Sequence, residues 1–547
     1  MSSSERKKSI ELDEVIDLIG DFGLYQIVAV TLFIVAIILH SAVHNAFVFT
    51  ALNLNYRCKI PECETSPPVY DAAFVAGAIP SNNLGPEKCE TYLYNFSSLE
   101  EITCRPDEFD HSGTKKCNEF VYEMDAWSIL QEFHLQCEKN EWKLTLVGTI
   151  NGAGQLVGIF IGGLIADRFG RKFVLIWGMV LCAVFGLSRT LVTTYELFLV
   201  FEFLDAFFGS STYICGFVLG VELVGPKKRV LTGILISSSY AVGEVVTALA
   251  AWVFKSWKPI IYALYGPSLF LIVYIWVIPE SVRWLLSKGR TEEAKVILRR
   301  AAKFNDKELS ESTLEKLTSS APQHSDGNHD SLLLALKSRV LLPRLLTCAF
   351  CWMVCAFLFY GFTLNSVSLA DGNPYLDFIL TSLIEIPGYW CSNFMLDLFG
   401  RRNSLFASFL ITGVACAVHV FIPIGSYAGG LTMFLIGKFG ATLAFTNVYV
   451  HTSEMFPTRM RQTFMGICST LGRIGSITAP QTPLLGRLWV HLPMVTFAVL
   501  AVAAAALSFL FPETANIKLP DTIEEAENLS RLPKSAPSED QEKPSTA

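Results

Sequence analysis

Charge is scarce in this chain: Asp, Glu, Lys and Arg make up 17% of its 547 residues, against about 25% in an average soluble protein. Hydrophobic types reach 51% and mean hydropathy is +0.41, more apolar surface than a water-soluble fold hides. Glycine (37) and proline (24) are ordinary while phenylalanine numbers 40, which excludes disorder and collagen-like repeats. The net charge of −7 leaves no general basic field, so no nucleic-acid partner is expected. A Gly-rich phosphate loop, a Cys/His metal spacing and a nucleophile elbow are also missing. ATP-driven transport, a metal centre, any cofactor and enzymatic activity are therefore not expected. What remains is a chain built for a bilayer.

Twelve stretches are apolar over about 20 residues, the length that crosses a hydrocarbon core of about 30 Å. They run 24–48, 144–166, 173–193, 197–221, 231–254, 259–278, 345–368, 375–396, 404–424, 428–450, 463–486 and 490–511. The expected fold class is an all-α membrane protein of twelve transmembrane helices. The first span follows a polar, acidic stretch without a small-residue cleavage site, so it reads as a retained helix.

Sidedness follows from the loops. Residues 49–143 hold 8 Lys/Arg against 16 Asp/Glu, the sequon at Asn95 and six cysteines, Cys58, Cys63, Cys89, Cys104, Cys117 and Cys137. That composition suits an extracellular, glycosylated, disulfide-bonded loop, with about fifteen pairings open. Basic loops at Arg168–Lys172, Lys227–Arg229, Arg401–Arg402 and Arg459–Arg461 fall on the other side, as the positive-inside rule requires. The expected plan is a cytoplasmic N-terminus (1–23), an N-terminal lobe (24–278), cytoplasmic linker helices (279–344), a C-terminal lobe (345–511) and a cytoplasmic tail (512–547).

An internal repeat divides the spans. Asp167-Arg-Phe-Gly-Arg-Lys172 recurs as Asp397-Leu-Phe-Gly-Arg-Arg402, Glu222 and Arg229 recur as Glu454 and Arg461, and Pro279-Glu-Ser recurs as Pro512-Glu-Thr, at offsets of 230, 232 and 233. Agreement within three residues implies two six-helix copies, parallel in the membrane, with a cavity between lobes that rock. Asp167, Arg171, Glu222, Arg229, Glu280, Arg283, Asp397, Arg401, Glu454 and Arg461 are then candidate gating residues, their arginines bridging to carboxylates across the lobes. Ordinary topology-setting charges are the alternative.

Charges inside the spans are costly and usually functional. At about 1.5 Å per residue, Arg473 lies about 16 Å deep, and Glu385 and Glu244 reach similar depth. Lys438 also sits mid-span, and it either lines the site or pairs with Glu385 or Glu244 to lock helices. Glu202 and Asp205 lie nearer the outer end of their span and are expected to make the approach acidic. Candidate aromatic walls are Trp352, Phe359, Tyr360, Tyr213, Tyr240 and Phe445, able to hold ammonium groups by cation–π attraction or else simply to pack. His40 and His44, one turn apart, read as packing residues that can also titrate.

The segments ELDEVIDLIGDFGLYQ, DRFGRK, PESVRWLLSKGRTEEA, FYGFTLN, EIPGY, IGKFGATLAF, SEMFPTRMRQ and LPDTIEEAEN span nearly the whole chain. In them it resembles the organic cation, organic anion and carnitine transporter family of the major facilitator superfamily. The resemblance implies a plasma-membrane carrier of small organic ions, working by alternating access through an aromatic cavity. In that family the span 11 position held here by Arg473 is acidic in the cation branch and Arg in the anion and carnitine branches. Tyr389 in EIPGY follows the carnitine pattern. A site with both signs suits a zwitterion of carnitine, betaine or β-amino-acid type. An organic anion exchanger and a non-transporting receptor are the alternatives. One departure stands out: where the family places Arg in R-x-x-x-G on span 4, this chain has Glu202 and Ala206.

Overall fold

The computed structural model describes residues 12–529 except 83–84, 95–103, 106–107, 320–334, 336, 370–371, 424, 459, 516, 518 and 521. Asn95 and both termini lie outside the described residues. Among the described residues nine helices are long and apolar enough to cross a membrane. They are Leu24–Thr50, Glu138–Phe169, Arg171–Leu191, Tyr195–Glu222, Pro226–Phe254, Trp257–Val277, Leu341–Ser368, Arg401–Val420 and Tyr427–Met455. The chain is a multi-pass membrane protein, helical throughout its apolar part.

The three other expected spans are helical but interrupted or short, and proline explains two of them. Helices Pro374–Leu383 and Glu385–Phe399 are separated at Ile384, because Pro387 has no N–H for the carbonyl four residues earlier. Helix Arg461–Thr478 tightens into a 3-10 turn at Ala479–Gln481, where Pro480 lies, before the 17-residue helix Leu492–Ser508.

Apolar packing separates into two main cores, one drawn from residues 29–278 with Tyr375 and Phe378, the other from 335–526. A third, smaller core forms where the amphipathic helix Leu12–Ile19 lays Val15, Ile16 and Ile19 against Trp284, Leu298 and Ala302 of the linker helices.

Among its described residues, the loop after the first long helix carries the short helices Val75–Ala78 and Ile129–Glu132 and three two-stranded antiparallel sheets, including Tyr56–Cys58 against Phe120–Tyr122. Its six cysteines pair as Cys58–Cys117, Cys63–Cys104 and Cys89–Cys137.

Candidate functional site

The repeated motifs have a duplicated three-dimensional job. Gly170 (φ +103°) and Gly400 (φ +82°) make left-handed turns that a side chain would strain. After each turn a helix begins, and a glutamate from the end of the same half caps it. Arg171 and Lys172 donate their backbone N–H to Glu280 at 3.1 and 3.2 Å, and Arg401 and Arg402 donate theirs to Glu513 at 2.8 and 3.2 Å. A side chain on either glycine would collide with the capping carboxylate. Ser281 donates to Glu222, and Thr514 donates to Glu454 at 2.7 Å.

The bridging across the lobes expected of the motif arginines is not seen among the described residues. Among the described residues, every hydrogen bond and ion pair of these groups stays in its own half. Arg171 meets Asp167 at 3.3 Å, Arg401 meets Glu454 at 3.1 Å, and Arg229 and Arg283 both meet Asp13 of the N-terminal helix. Among the same residues Asp397 is exposed and without an ion pair, and the Nε and Nη2 of Arg461 are buried without a bond. Capping of a helix by a carboxylate contributes about 1–2 kcal/mol. Glu280→Ala and Glu513→Ala should therefore lower the melting temperature of the purified protein, while Asp397→Asn should leave it unchanged.

The halves touch instead near the disulfide-bonded loop. Thr145 donates to Gln481 at 3.0 Å, Gln481 donates to Thr149 at 2.7 Å, and Arg487 pairs with Glu141. Tyr375 stacks between Phe49 (5.6 Å) and Trp252 (6.1 Å). Beneath the loop lies a cavity of about 360 Å³ lined in part by Phe47, Lys88, Glu141 and Arg487. Phe47, Gly148 and Pro480 also border a second void of about 20 Å³, which reaches His44, Gln155 and Tyr360.

That second void borders an aromatic chain that crosses from one half to the other. Ring centroids run Tyr213 to Tyr240 (5.6 Å), Tyr240 to His44 (6.3 Å), His44 to Tyr360 (6.4 Å), Tyr360 to Phe359 (5.4 Å), Phe359 to Phe445 (5.0 Å), Phe445 to Tyr449 (5.4 Å) and Tyr449 to Trp352 (4.2 Å). All six candidate aromatics join it. Tyr449 and His44 complete it, and His40 stacks on His44 at 5.5 Å.

Arg473 stands beside this chain, half-buried. Its Nη1 donates to Gln155 of the opposite half at 3.2 Å and to the Tyr360 hydroxyl at 3.4 Å. No carboxylate pairs with it among the described residues. Lys438 behaves otherwise: its Nζ reaches Glu385 at 2.7 Å, Thr363 at 2.7 Å and the Phe359 carbonyl at 3.1 Å, over the Phe359 ring. The ammonium is fully buried between these groups, which matches the helix-locking alternative. Tyr389 donates to Glu385 at 3.1 Å, and Glu244 lies beside Glu385.

Glu202 and Asp205 do not form an acidic approach. They are 0% and 4% exposed, and both are held by Arg189, which pairs with Glu202 and lies 2.9 Å from Asp205. Asp205 also accepts from Tyr265 at 2.6 Å and Cys182 at 2.8 Å, and Glu202 accepts from Asn151 at 2.7 Å. Gln155 donates to Asn151 at 2.6 Å, so a donor chain runs from Arg473 through two amides to Glu202. A signal for it existed in the sequence: Asn151 and Gln155 lie four apart, hence on one face, of a span with no charge.

Residues 90–526 match the family model described as Sugar (and other) transporter. The chain is 29% identical to the organic cation transporter protein of Drosophila melanogaster, over 98% of this chain and 97% of that one. It is 30% identical to solute carrier family 22 member 2 of Homo sapiens (95% and 96% covered) and 30% identical to organic cation/carnitine transporter 2 of Homo sapiens (94% and 94%). Among solved structures, the proton:xylose symporter XylE bound to 6-bromo-6-deoxy-D-glucose aligns with TM-score 0.55 at 15% identity, covering 91% of this chain and 99% of that one. The inward-open form of XylE from E. coli aligns with TM-score 0.57 at 16% identity, over 73% and 93%. At such identity the likeness concerns the fold alone.

Proposed function

Because the chain belongs to the organic cation and carnitine transporter family of the major facilitator superfamily, a family of carriers rather than enzymes, we propose that it moves small zwitterions across the plasma membrane. Carnitine, betaine and β-amino acids are the chemical type. The observation that carries this reading is Arg473, a guanidinium at membrane depth with no acid partner among the described residues, set against a chain of aromatic faces. A charge at membrane depth without an opposite charge beside it is costly, and a substrate carboxylate offsets that cost. The aromatic faces of Tyr240, Tyr360 and Tyr449 attract the ammonium end, by about 0.5–2 kcal/mol each.

In this reading the twelve spans form two six-helix lobes, 24–278 and 345–511, with both termini and the 279–344 linker cytoplasmic and Asn95 glycosylated outside. The broken helices 374–399 and 461–485 count as one span each. The contacts near the disulfide-bonded loop support a state closed outside. Uptake of radiolabelled carnitine, β-alanine, tetraethylammonium and p-aminohippurate into expressing oocytes tests the substrate class. Carnitine or β-alanine should accumulate. Accumulation of the aromatic carboxylate alone would make the protein an anion carrier, and no accumulation of any would favour a receptor.

A further inference from the structure

A second charged cluster lies where the halves meet, and its hydrogen bonds do not close with ionised groups alone. Glu244 comes from helix Arg229–Phe254 of the first half, and Glu385 and Lys438 come from the second half. They are 1%, 0% and 0% exposed. Two acids thus face one base, which donates to Thr363 and the Phe359 carbonyl and meets Glu385 as an ion pair, while Glu385 Oε1 is buried without a hydrogen-bond partner. The second oxygen of Glu385 accepts from Tyr389.

Glu244 receives nothing comparable. Its neighbours are the Glu385 carboxylate, the Lys438 ammonium and the Ser382 hydroxyl, and Ser382 already donates its one proton to the Phe378 carbonyl at 2.9 Å. Its Oε2 is buried without a partner. A carboxylate pressed against an acceptor and another carboxylate has to supply the proton itself. Two adjacent carboxylates that share one proton are a familiar solution, since both cannot ionise side by side.

We infer that Glu244 and Glu385 form a proton-binding site that joins the two halves, so that holding one proton keeps the outer side closed and losing it opens that side. The proton lies between the two carboxyl groups. When it leaves to water, two negative charges on opposite halves face a single ammonium, and repulsion drives the spans apart. When it returns, the acid-to-carboxylate hydrogen bond is remade and the halves close. The inference requires only that the chain is a two-lobed carrier, and it holds for any substrate.

The other titratable groups near the cluster leave this assignment standing. Tyr240 shares the helix of Glu244, Tyr389 that of Glu385, while Tyr213 and Tyr360 come from neighbouring helices. All four are neutral phenols that add hydrogen-bonding hydroxyls and no charge to the cluster. His40 and His44 stand one ring away, against Tyr240, and Asp377, buried on the helix that precedes Glu385, accepts from Tyr427; these are rival sources of a pH response among the described residues.

The test uses full-length protein in nanodiscs with spin labels at Lys255→Cys and Leu376→Cys, exposed positions at the outer ends of the helices that bear Glu244 and precede Glu385. Exposed Cys391 is replaced by Ser. Electron–electron distance distributions are read between about pH 5.5 and about pH 8.5. The wild type should shift from the short to the long distance, by up to about tenfold in population ratio per pH unit, the limit for one proton. Glu244→Gln, which keeps the shape and a donor, should hold the short distance at every pH. A wild-type distribution independent of pH would overturn the inference. So would Glu244→Gln retaining the wild-type response, because another group would then carry it.

Discussion

Arg473→Ala should weaken apparent affinity for carnitine about ten- to hundredfold while sparing tetraethylammonium. The substitution removes a charge-assisted bond to the substrate carboxylate, about 1.5–3 kcal/mol, and a cation without a carboxylate never makes that bond. Removal of a repelling charge should even favour such cations, and Arg473→Asp should push selection further in that direction. Concentration dependence of uptake in surface-matched cells is the measurement. Equal losses for both substrates would reduce Arg473 to a strut between Gln155 and Tyr360.

Arg189→Leu should give the largest loss of stability. The guanidinium is 0% exposed, and its removal leaves Glu202 and Asp205 buried with only neutral donors. Breaking a buried pair from one side costs about 3–5 kcal/mol, a large part of the margin by which a typical fold is stable. Little mature protein should reach the surface. Adding Glu202→Gln and Asp205→Asn to Arg189→Leu should restore much of the yield, because the stranded charges are gone. Yield unchanged by Arg189→Leu would mean that the cluster contributes nothing to the fold.

What the sequence makes legible follows from how local each signal is. Nine spans are readable because length and apolarity are properties of one segment. The interruption at Ile384 is not, although Pro387 is in plain view, since a proline breaks or merely bends a helix according to the packing around it. Arg473 stands out by depth alone, and the aromatic candidates all fall into one ring chain because the family motif already groups several of them. The pairing of Arg189 with Glu202 escapes a linear reading because it joins two helices across a turn: each residue alone reads as a misplaced charge, and only their meeting neutralises one of the two acids. Pro279-Glu-Ser and Pro512-Glu-Thr are legible as landmarks of duplication. Their chemistry, a glutamate capping the helix that follows a glycine turn in its own half, needs the three-dimensional return of the chain from residue 280 to residue 171.

The reading of the site as a zwitterion site reduces to whether a substrate carboxylate is recognised at all. Uptake of carnitine against its methyl ester, two molecules with the same ammonium that differ in the charge of the other end, tests it in the wild-type protein. Carnitine should be favoured at least about tenfold at low concentration, as one charge-assisted bond predicts. Equal uptake of acid and ester at matched surface expression would contradict the account.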